Sequence, residues 1–293
     1  MFIKRLPKFE YHTPTSLYKA LDLLDKYDGK ARVFAGGTDL LVSMKKREVL
    51  PEHLISLKGI AKLKGIHDEK KGMKIGALVT LGEIEHSKII QDRFCVLWDA
   101  VQVMASLQVR NLATIGGNLC SAAPSADTAP PLIVLDASAE IISANGKRKV
   151  LVENFFKGPG ESVLKPGEIL TQIMIPNPPQ KSAGAYFKLM RRAAMDLAQV
   201  GVAVCLSLDS EKRICKGARI ALGAVGSTPI RALRAEQVLL NEGVNETVGK
   251  EAGKIAAQEA NPRSSVRASK EYRKEMIEVL TKRAVMEAYQ RIN

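Results

Sequence analysis

Two pairs of adjacent glycines constrain the fold of this 293-residue chain more than any other feature. The first lies in the segment AGGTD at residues 35–39, and the second lies in TIGGN at residues 114–118. Adjacent glycines let a backbone approach another group closely and adopt positive φ angles. Successive backbone N–H groups in such turns form concave anion sites. Either pair alone occurs in many proteins without a ligand, but two together suit a diphosphate, whose charged groups need donors from two sides.

The usual nucleotide-binding motifs are absent from the sequence. No G-x-G-x-x-G occurs, because the run that begins at Gly158 has Val163 where the motif requires glycine. No G-x-x-x-x-G-K-[ST] occurs either. Any dinucleotide bound here is therefore held by an architecture other than a Rossmann fold or a P-loop.

The chain carries a formal net charge of +13, which first suggests nucleic-acid binding. Lys and Arg are spread along the whole chain without a basic tail, and aromatic residues make up only 5%. No RNP-like strand, zinc-finger spacing or basic zipper is present. Two interpretations stay open at this point: a basic nucleic-acid-binding module, or a surface that faces an anionic cofactor and acidic partner subunits.

Cysteine and histidine spacing gives no metal-binding motif. The four cysteines form no C-x-x-C pair, and the four histidines form no H-x-x-x-H or H-E-x-x-H pattern. We therefore expect reduced core thiols and neither a metal ion nor an iron–sulfur centre in this chain. No run approaches the roughly 18 apolar residues of a membrane helix, and no signal peptide is evident, so a cytoplasmic protein is expected.

Turn and capping residues divide the chain into two parts. Thr13 followed by Pro14 predicts the start of a first helix, and Thr80 with Glu83 predicts a capping box. Residues 110–131 lack periodicity and are interpreted as one long functional loop. The run NPPQKS at residues 177–182 is typical of a domain boundary. Strand-like segments and then helices follow it, which predicts an α+β fold with domains at 1–178 and 182–290.

Four segments together resemble a known family. They are VRNLATIGGN at 109–118 with its continuation APSAD at 123–127, AGGTDL at 35–40, AYFK at 185–188 and VRASxxYR at 266–273. Their order and spacing along the chain are similar to those of the FAD-binding medium subunit of the molybdenum hydroxylases, as in carbon monoxide dehydrogenase and bacterial xanthine dehydrogenase. The resemblance covers nearly the whole chain.

The resemblance implies an FAD-binding domain of the vanillyl-alcohol-oxidase (PCMH) type followed by a smaller α+β domain of antiparallel sheet and helices. It assigns no catalytic side chain. It assigns sixteen residues to FAD binding: Val33, Phe34, Ala35, Gly36, Gly37, Thr38, Asp39, Leu40, Thr114, Ile115, Gly116, Gly117, Asn118, Asp127, Leu170 and Lys188. The last three have structural alternatives, as a helix N-cap, a core strand residue and a solvated strand lysine respectively.

The implied function is electron transfer within a complex. A large molybdopterin-binding subunit and a small subunit with two [2Fe–2S] clusters would be the partners, in a heterotrimer or a dimer of heterotrimers. Electrons would reach FAD in this chain and pass to NAD or another acceptor. Two alternatives stay open: a self-contained flavin oxidoreductase, and the basic nucleic-acid-binding module. With the resemblance, the positive charge is interpreted as suited to anionic FAD and to partner subunits.

Overall fold

The computed structural model describes residues 5–211 and 214–292. A three-stranded parallel sheet opens the N-terminal part. Its strands and the two helices between them are β1 (Glu10–His12), α1 (Leu17–Lys26), β2 (Ala31–Phe34), α2 (Leu40–Lys46) and β3 (His53–Ser56). Strand β3 lies in the middle and pairs with β1 on one side and β2 on the other. Because the strands are parallel, the first glycine pair, which follows β2, lies at the same end of the sheet as the C-terminus of β3.

The first helix begins later than the sequence predicts. Its N-cap is Ser16 rather than Thr13, and the Ser16 hydroxyl accepts a hydrogen bond from the backbone N–H of Lys19. Pro14 is buried, its carbonyl lies close to Gly59, and the chain is still extended at Ser16, where the helix begins. Tertiary packing thus overrides the local capping signal.

A five-stranded antiparallel sheet forms the second layer of the N-terminal part. Its strands are β4 (Ile66–Glu69), β5 (Gly72–Gly76), β6 (Ser138–Ser143), β7 (Gly146–Leu151) and β10 (Ile169–Pro176). They are ordered β4-β5-β10-β6-β7. A small hairpin, β8 (Phe156–Gly158) with β9 (Glu161–Ser162), lies between β7 and β10 in the chain.

Six short helices connect the strands of this sheet. They are α3 (Leu81–Glu85), α4 (Lys88–Arg93), α5 (Cys95–Gln102), α6 (Leu107–Arg110), α7 (Ile115–Ser121) and α8 (Ala129–Val134). The capping box of Thr80 and Glu83 is confirmed, with both reciprocal hydrogen bonds present. The interpretation of residues 110–131 as one loop is wrong, because α7 and the first half of α8 lie within that segment.

The C-terminal part is a four-stranded antiparallel sheet covered by helices. Its elements are β11 (Ser182–Leu189), β12 (Val200–Leu208), β13 (Cys215–Gly223), β14 (Ile230–Arg231), α9 (Leu233–Leu239), α10 (Glu246–Glu259) and α11 (Lys270–Ile292). The predicted order of a sheet followed by helices is confirmed, as is the α+β class. Among the described residues, no helix combines the length and the apolar character needed to cross a bilayer.

Both faces of the C-terminal sheet are buried, and they belong to different cores. Ala203 and Tyr186 join the core of the N-terminal part, whereas their neighbours Val202, Val204 and Ala185 pack in the C-terminal core. This alternation follows from the two-residue side-chain period of a strand. The sheet therefore forms one wall of the N-terminal part and brings the Lys188 side chain to that part.

Candidate functional site

The first glycine pair forms a loop of free backbone donors at the end of β2. Among the described residues, the backbone N–H groups of residues 36–39 have no protein acceptor. Gly37 has φ of +79°, a conformation that favours glycine. Successive unpaired N–H groups in such a turn provide a concave surface for an anion, as the sequence predicts.

The second glycine pair has a different construction, because its backbone N–H groups are already used within the protein. Those of Ile115 and Gly116 donate to the carbonyls of Val79 and Ala77, each over 3.0 Å. The N–H of Gly117 donates to the hydroxyl of Thr114, the N-cap of α7. The loop is thus docked on the segment after β5 by backbone hydrogen bonds. It offers side chains rather than N–H groups to a ligand.

Asn118 is one such side chain. Its Oδ1 accepts a hydrogen bond of 2.6 Å from the hydroxyl of Thr128, so its amide NH₂ group keeps its donors for another partner. The Thr114 hydroxyl accepts from Gly117 and keeps its own proton to donate. The second loop therefore contributes two side-chain donors near the start of α7.

The two loops are in direct contact. A Cβ atom on Gly36 would lie 2.1 Å from the carbonyl oxygen of Leu112, so only glycine fits there. The hydroxyl of Ser121 lies 2.7 Å from Asp39 Oδ2 and 2.9 Å from the carbonyl of Gly117, and it can donate to either. Two segments about 80 residues apart in the chain thus form one continuous surface.

This surface is part of a cavity of about 1180 Å³. Fourteen of the sixteen residues assigned to FAD binding line it. The structure does not place Phe34 and Ile115 among its lining residues: Phe34 packs with Met44 and Leu54, and Ile115 is fully buried in the main core. The volume exceeds the roughly 300–1000 Å³ of most small-ligand pockets, as an extended ligand such as a dinucleotide requires.

Asp127 and Lys188 meet at the buried end of the cavity. Lys188 Nζ donates to Asp127 Oδ2 over 2.8 Å, and the Tyr186 hydroxyl donates to Oδ1 over 2.7 Å. The side chains of Lys188 and Asp127 are 1% and 7% exposed. Burial raises the pKa of Asp127, and the ammonium of Lys188 and the hydrogen bonds to the carboxylate oppose this rise. Burial and the adjacent carboxylate both raise the pKa of Tyr186, so the phenol stays protonated as the donor.

These contacts exclude the structural alternatives that the sequence leaves open for Lys188 and Asp127. Lys188 is not a solvated strand lysine, because its ammonium is buried and also donates to the carbonyl of Val103. Asp127 is not the N-cap of α8, which is Thr128. Both side chains face the cavity in a fixed arrangement.

Leu170 lies in the cavity wall at an irregularity of β10. The pairing register between β10 and β6 shifts between Leu170 and Gln172, which leaves Thr171 as the extra residue. The Thr171 hydroxyl donates to the carbonyl of Glu140. Bulges bend a strand and redirect its side chains. Leu170 is 4% exposed and is both a core residue and a lining residue of the cavity, so its place in the core is compatible with the predicted contact with FAD.

The charge of the cavity differs from the expectation that the positive net charge suits an anionic cofactor. The cationic lining side chains are Arg32, Lys157, Lys165 and Lys188. The lining carboxylates are Asp28, Asp39, Glu48, Asp127, Glu161, Glu168 and Asp196. The excess of Lys and Arg over the whole chain therefore lies elsewhere. Free backbone N–H groups and neutral donors, rather than a positive side-chain field, offer anion binding at this site.

Two residues that the sequence reasoning did not assign to the site support it. Ser121 connects the two loops, and Tyr186 holds Asp127 from behind the cavity wall. Tyr186 stands in the AYFK segment, two residues before Lys188, so strand alternation places both side chains on the same face of β11. That alternation was a usable signal. Nothing local marks Ser121, since its role depends on the contact between the two loops.

The fold is that of a two-part α+β protein with a large cavity, and comparisons with known proteins identify the first part as an FAD-binding domain. Residues 7–178 match the family described as "FAD binding domain in molybdopterin dehydrogenase". Residues 185–288 match "CO dehydrogenase flavoprotein C-terminal domain". The chain belongs to the family of FAD-binding medium subunits of the molybdenum hydroxylases. It is an FAD-binding subunit of an oxidoreductase of this family.

The matches to similar proteins cover almost the full length of both chains. The chain is 36% identical over 280 residues to the xanthine dehydrogenase FAD-binding subunit of Escherichia coli O157:H7, covering 95% of both chains. It is 34% identical to the carbon monoxide dehydrogenase medium chain of Afipia carboxidovorans, covering 96% of both. Its fold matches a chain of the carbon monoxide dehydrogenase of Hydrogenophaga pseudoflava with a TM-score of 0.94 and 33% identity, covering 98% of this chain and 99% of that one.

Proposed function

We propose that this chain transfers electrons through FAD within a molybdenum hydroxylase complex. Electrons from a [2Fe–2S] cluster of a partner subunit reach the flavin and leave it for NAD or another acceptor. The main support for the proposal is that fourteen of the sixteen residues assigned to FAD binding line one cavity. Bound FAD supplies the redox chemistry, and the protein supplies binding, orientation and electrostatics.

The residues present fit FAD. The free N–H groups of residues 36–39 can donate to the oxygens of a pyrophosphate. Because Gly36 has no side chain, its backbone packs closely against Leu112 and stays accessible to a ligand. Thr114 and Asn118 hold further donors on the facing loop. We assign the pyrophosphate to the groove between the two loops.

The inner end of the cavity is suited to orienting a ligand rather than to proton transfer. Asp127 and Lys188 neutralise each other, and each is tied to a further partner. No histidine lines the cavity among the residues that the structure describes. Because Asp127 is already paired with Lys188 and Tyr186, the inner end offers no free carboxylate as a proton acceptor, which favours electron transfer over a self-contained oxidoreductase.

The proposal extends to the partners and the location of the chain. Relatives are named as a medium chain or an FAD-binding subunit. We assign this chain to a cytoplasmic assembly with a large molybdopterin-binding subunit and a small [2Fe–2S] subunit, as a heterotrimer or a dimer of heterotrimers. The domain boundaries in this proposal are 1–178 and 182–290.

The test uses the full chain alone and in its complex. A tagged chain is purified from its native cells, and the complex is assayed for molybdenum, iron and acid-labile sulfide. Substrate that bleaches flavin absorbance in the complex but not in the isolated, FAD-loaded chain supports the proposal. Bleaching of equal rate and extent in the isolated chain would show a self-contained oxidoreductase instead.

A further inference from the structure

A histidine pair on the N-terminal sheet lies outside the cavity and has no part in the proposed function. His12 ends β1, and His53 begins β3. His12 Nε2 lies 3.1 Å from His53 Nδ1. Glu10 joins them: its Oε2 lies 3.3 Å from His53 Nδ1 and 3.7 Å from His12 Nε2. None of the three residues lines the cavity.

The parallel register explains why these side chains meet. Glu10 and His12 are two residues apart on β1 and therefore share one face of the sheet. Glu10 is paired with His53 across the strands. Two sequence-distant histidines thus converge through sheet pairing, which is why spacing along the sequence gave no metal motif.

We propose that Glu10, His12 and His53 form a binding site for a divalent transition-metal ion, with Zn²⁺ as the principal candidate. Imidazole nitrogens and a carboxylate oxygen are the ligands that zinc prefers besides thiolates. With Zn–N bonds of about 2.0–2.1 Å, two ligand atoms on a tetrahedron are about 3.3 Å apart. The three distances of 3.1, 3.3 and 3.7 Å therefore correspond to the three edges of one tetrahedral face.

Tyr27 holds the two imidazoles in place. Its ring stacks on His53 at a centroid distance of 3.7 Å and on His12 at 5.1 Å. The side chains of His12 and His53 are 20% and 13% exposed, whereas that of Glu10 is 69% exposed. The nitrogen ligands are thus pre-oriented, and the carboxylate lies on the side from which an ion enters. Water completes the fourth position, since the cluster contains three metal-ligating side chains among the described residues.

A bound ion would connect an edge strand to the middle of its sheet. Strand β1 has only three residues, and β3 also pairs with β2, which leads into the first glycine loop. The metal therefore stabilises the sheet that carries this loop. Such a site adds stability because the ion binds the folded chain and the assembled cluster does not exist in the unfolded one.

Calorimetric titration of the chelator-treated full chain with ZnCl₂ tests the site. We expect one zinc per chain. Glu10→Gln weakens binding by at least about tenfold, since even supporting residues of metal sites are worth about 10–100-fold. His53→Ala abolishes binding. His67→Ala, a change at an exposed histidine on β4 outside the cluster, leaves it unaltered.

Two further measurements keep the test independent of folding and of the four free cysteines. Zinc should raise the melting temperature of the wild type and of His67→Ala but not of His53→Ala. Co²⁺ should give visible d–d bands without a thiolate charge-transfer band. Absence of binding at micromolar zinc would overturn the proposal and leave a plain histidine hydrogen bond. Equal binding by the wild type and His53→Ala, or a thiolate band, would overturn it by showing that the ion binds elsewhere, with a thiolate band indicating the cysteines. Flavin content is measured separately and does not decide this test.

Discussion

The buried carboxylate of Asp127 is the residue on which the inner end of the cavity depends. Both of its oxygens accept hydrogen bonds, one from the Lys188 ammonium and one from the Tyr186 phenol. A buried charge is tolerated only when it is paired, and removing its partner exposes the full cost of burial. The geometry of this trio is thus held by the same contacts that stabilise the fold.

Replacing Lys188 should destabilise the protein far more than replacing Lys282, a half-buried lysine whose ion-pair partner is exposed. Lys188→Met leaves the Asp127 carboxylate buried without its counter-charge, which costs about 3–5 kcal/mol of unfolding free energy. Lys282→Met removes an ion pair with Glu246, whose side chain is 76% exposed, and such exposed pairs contribute little, so its cost should be clearly smaller. Urea unfolding of both variants measures the difference. Equal losses would mean that Lys188 is not a buried partner of Asp127.

Gly36→Ala should reduce FAD affinity by separating the two loops. The new Cβ would collide with the carbonyl oxygen of Leu112, which is backbone and cannot rotate away. We expect FAD affinity to fall by at least about tenfold, the effect of roughly 1.4 kcal/mol. Gly249→Ala is the matched control, because a Cβ there meets only ordinary contacts at 3.5 Å or more. Fluorescence titration with FAD gives both values, and unchanged affinity in Gly36→Ala would contradict the assigned groove.

At the scale of elements, β10 connects the core to the cavity. It is the central strand of the five-stranded sheet, and its bulge lies beside Leu170. Just before the strand, Glu168 accepts two hydrogen bonds from Arg148 of β7, and the backbone N–H of Lys165 donates to it as well. These contacts lower the pKa of Glu168, with the Arg148 hydrogen bonds as the largest cause. They fix the turn that enters β10.

This ion pair should give the protein a specific pH dependence. Because the folded-state pKa of Glu168 lies below its unfolded value of about 4.3, its stabilisation is complete above that value and is lost as pH falls through the folded-state pKa. Glu168→Gln should therefore cost about 1–3 kcal/mol near pH 7, and the difference from the wild type should shrink in acid. Denaturant unfolding at several pH values checks this.

Glu161 provides the control for that series. It also lines the cavity, is exposed, and has no ion pair among the residues that the structure describes. Glu161→Gln should change the unfolding free energy little at any pH. A cost for Glu168→Gln that stays constant down to acid pH would show that the carboxylate charge is not what stabilises this turn.

Elements differ in how far the sequence predicts them, and α7 shows the reason. The capping box of α3 is a local signal between Thr80 and Glu83, and it was predicted correctly. Helix α7 contains the pair Gly116 and Gly117, and glycine disfavours helices. It forms because its first turn docks on Ala77 through a backbone hydrogen bond and a close contact. Such tertiary stabilisation leaves no periodicity to detect.

At the scale of the whole molecule, the C-terminal sheet has two buried faces. One face carries Ala203 and Tyr186 into the N-terminal core, and the other forms the C-terminal core with the helices. Helix α11 is also tied to the N-terminal part, since Arg291 forms an ion pair of 2.7 Å with Asp99 of α5. The two parts of the chain therefore form the cavity together, with Lys188 supplied by the second part.

The sequence predicted the lining of this cavity better than its electrostatics. Gly36 and Asn118 were recognised through motifs, and both line it. The expectation that the +13 charge suits the cofactor is not met in the cavity, because carboxylates outnumber cationic side chains in the lining, whereas its match to partner subunits stays a prediction. Net charge is a sum over the whole chain, whereas a site depends on which few charges the fold brings together. The hydrogen bonds that dock the second loop could not be predicted either, because they also depend on which segments the fold brings together.

The central claim is that FAD binds in the groove between the two glycine loops, and equilibrium titration of the flavin-free full chain with FAD tests it most directly. The account predicts one FAD per chain, and FMN, which lacks the pyrophosphate, should bind more weakly by at least about tenfold. The same preference should disappear in Gly36→Ala while Gly249→Ala retains it. A folded chain that takes up no FAD, or one that binds FMN and FAD equally well, would contradict the account.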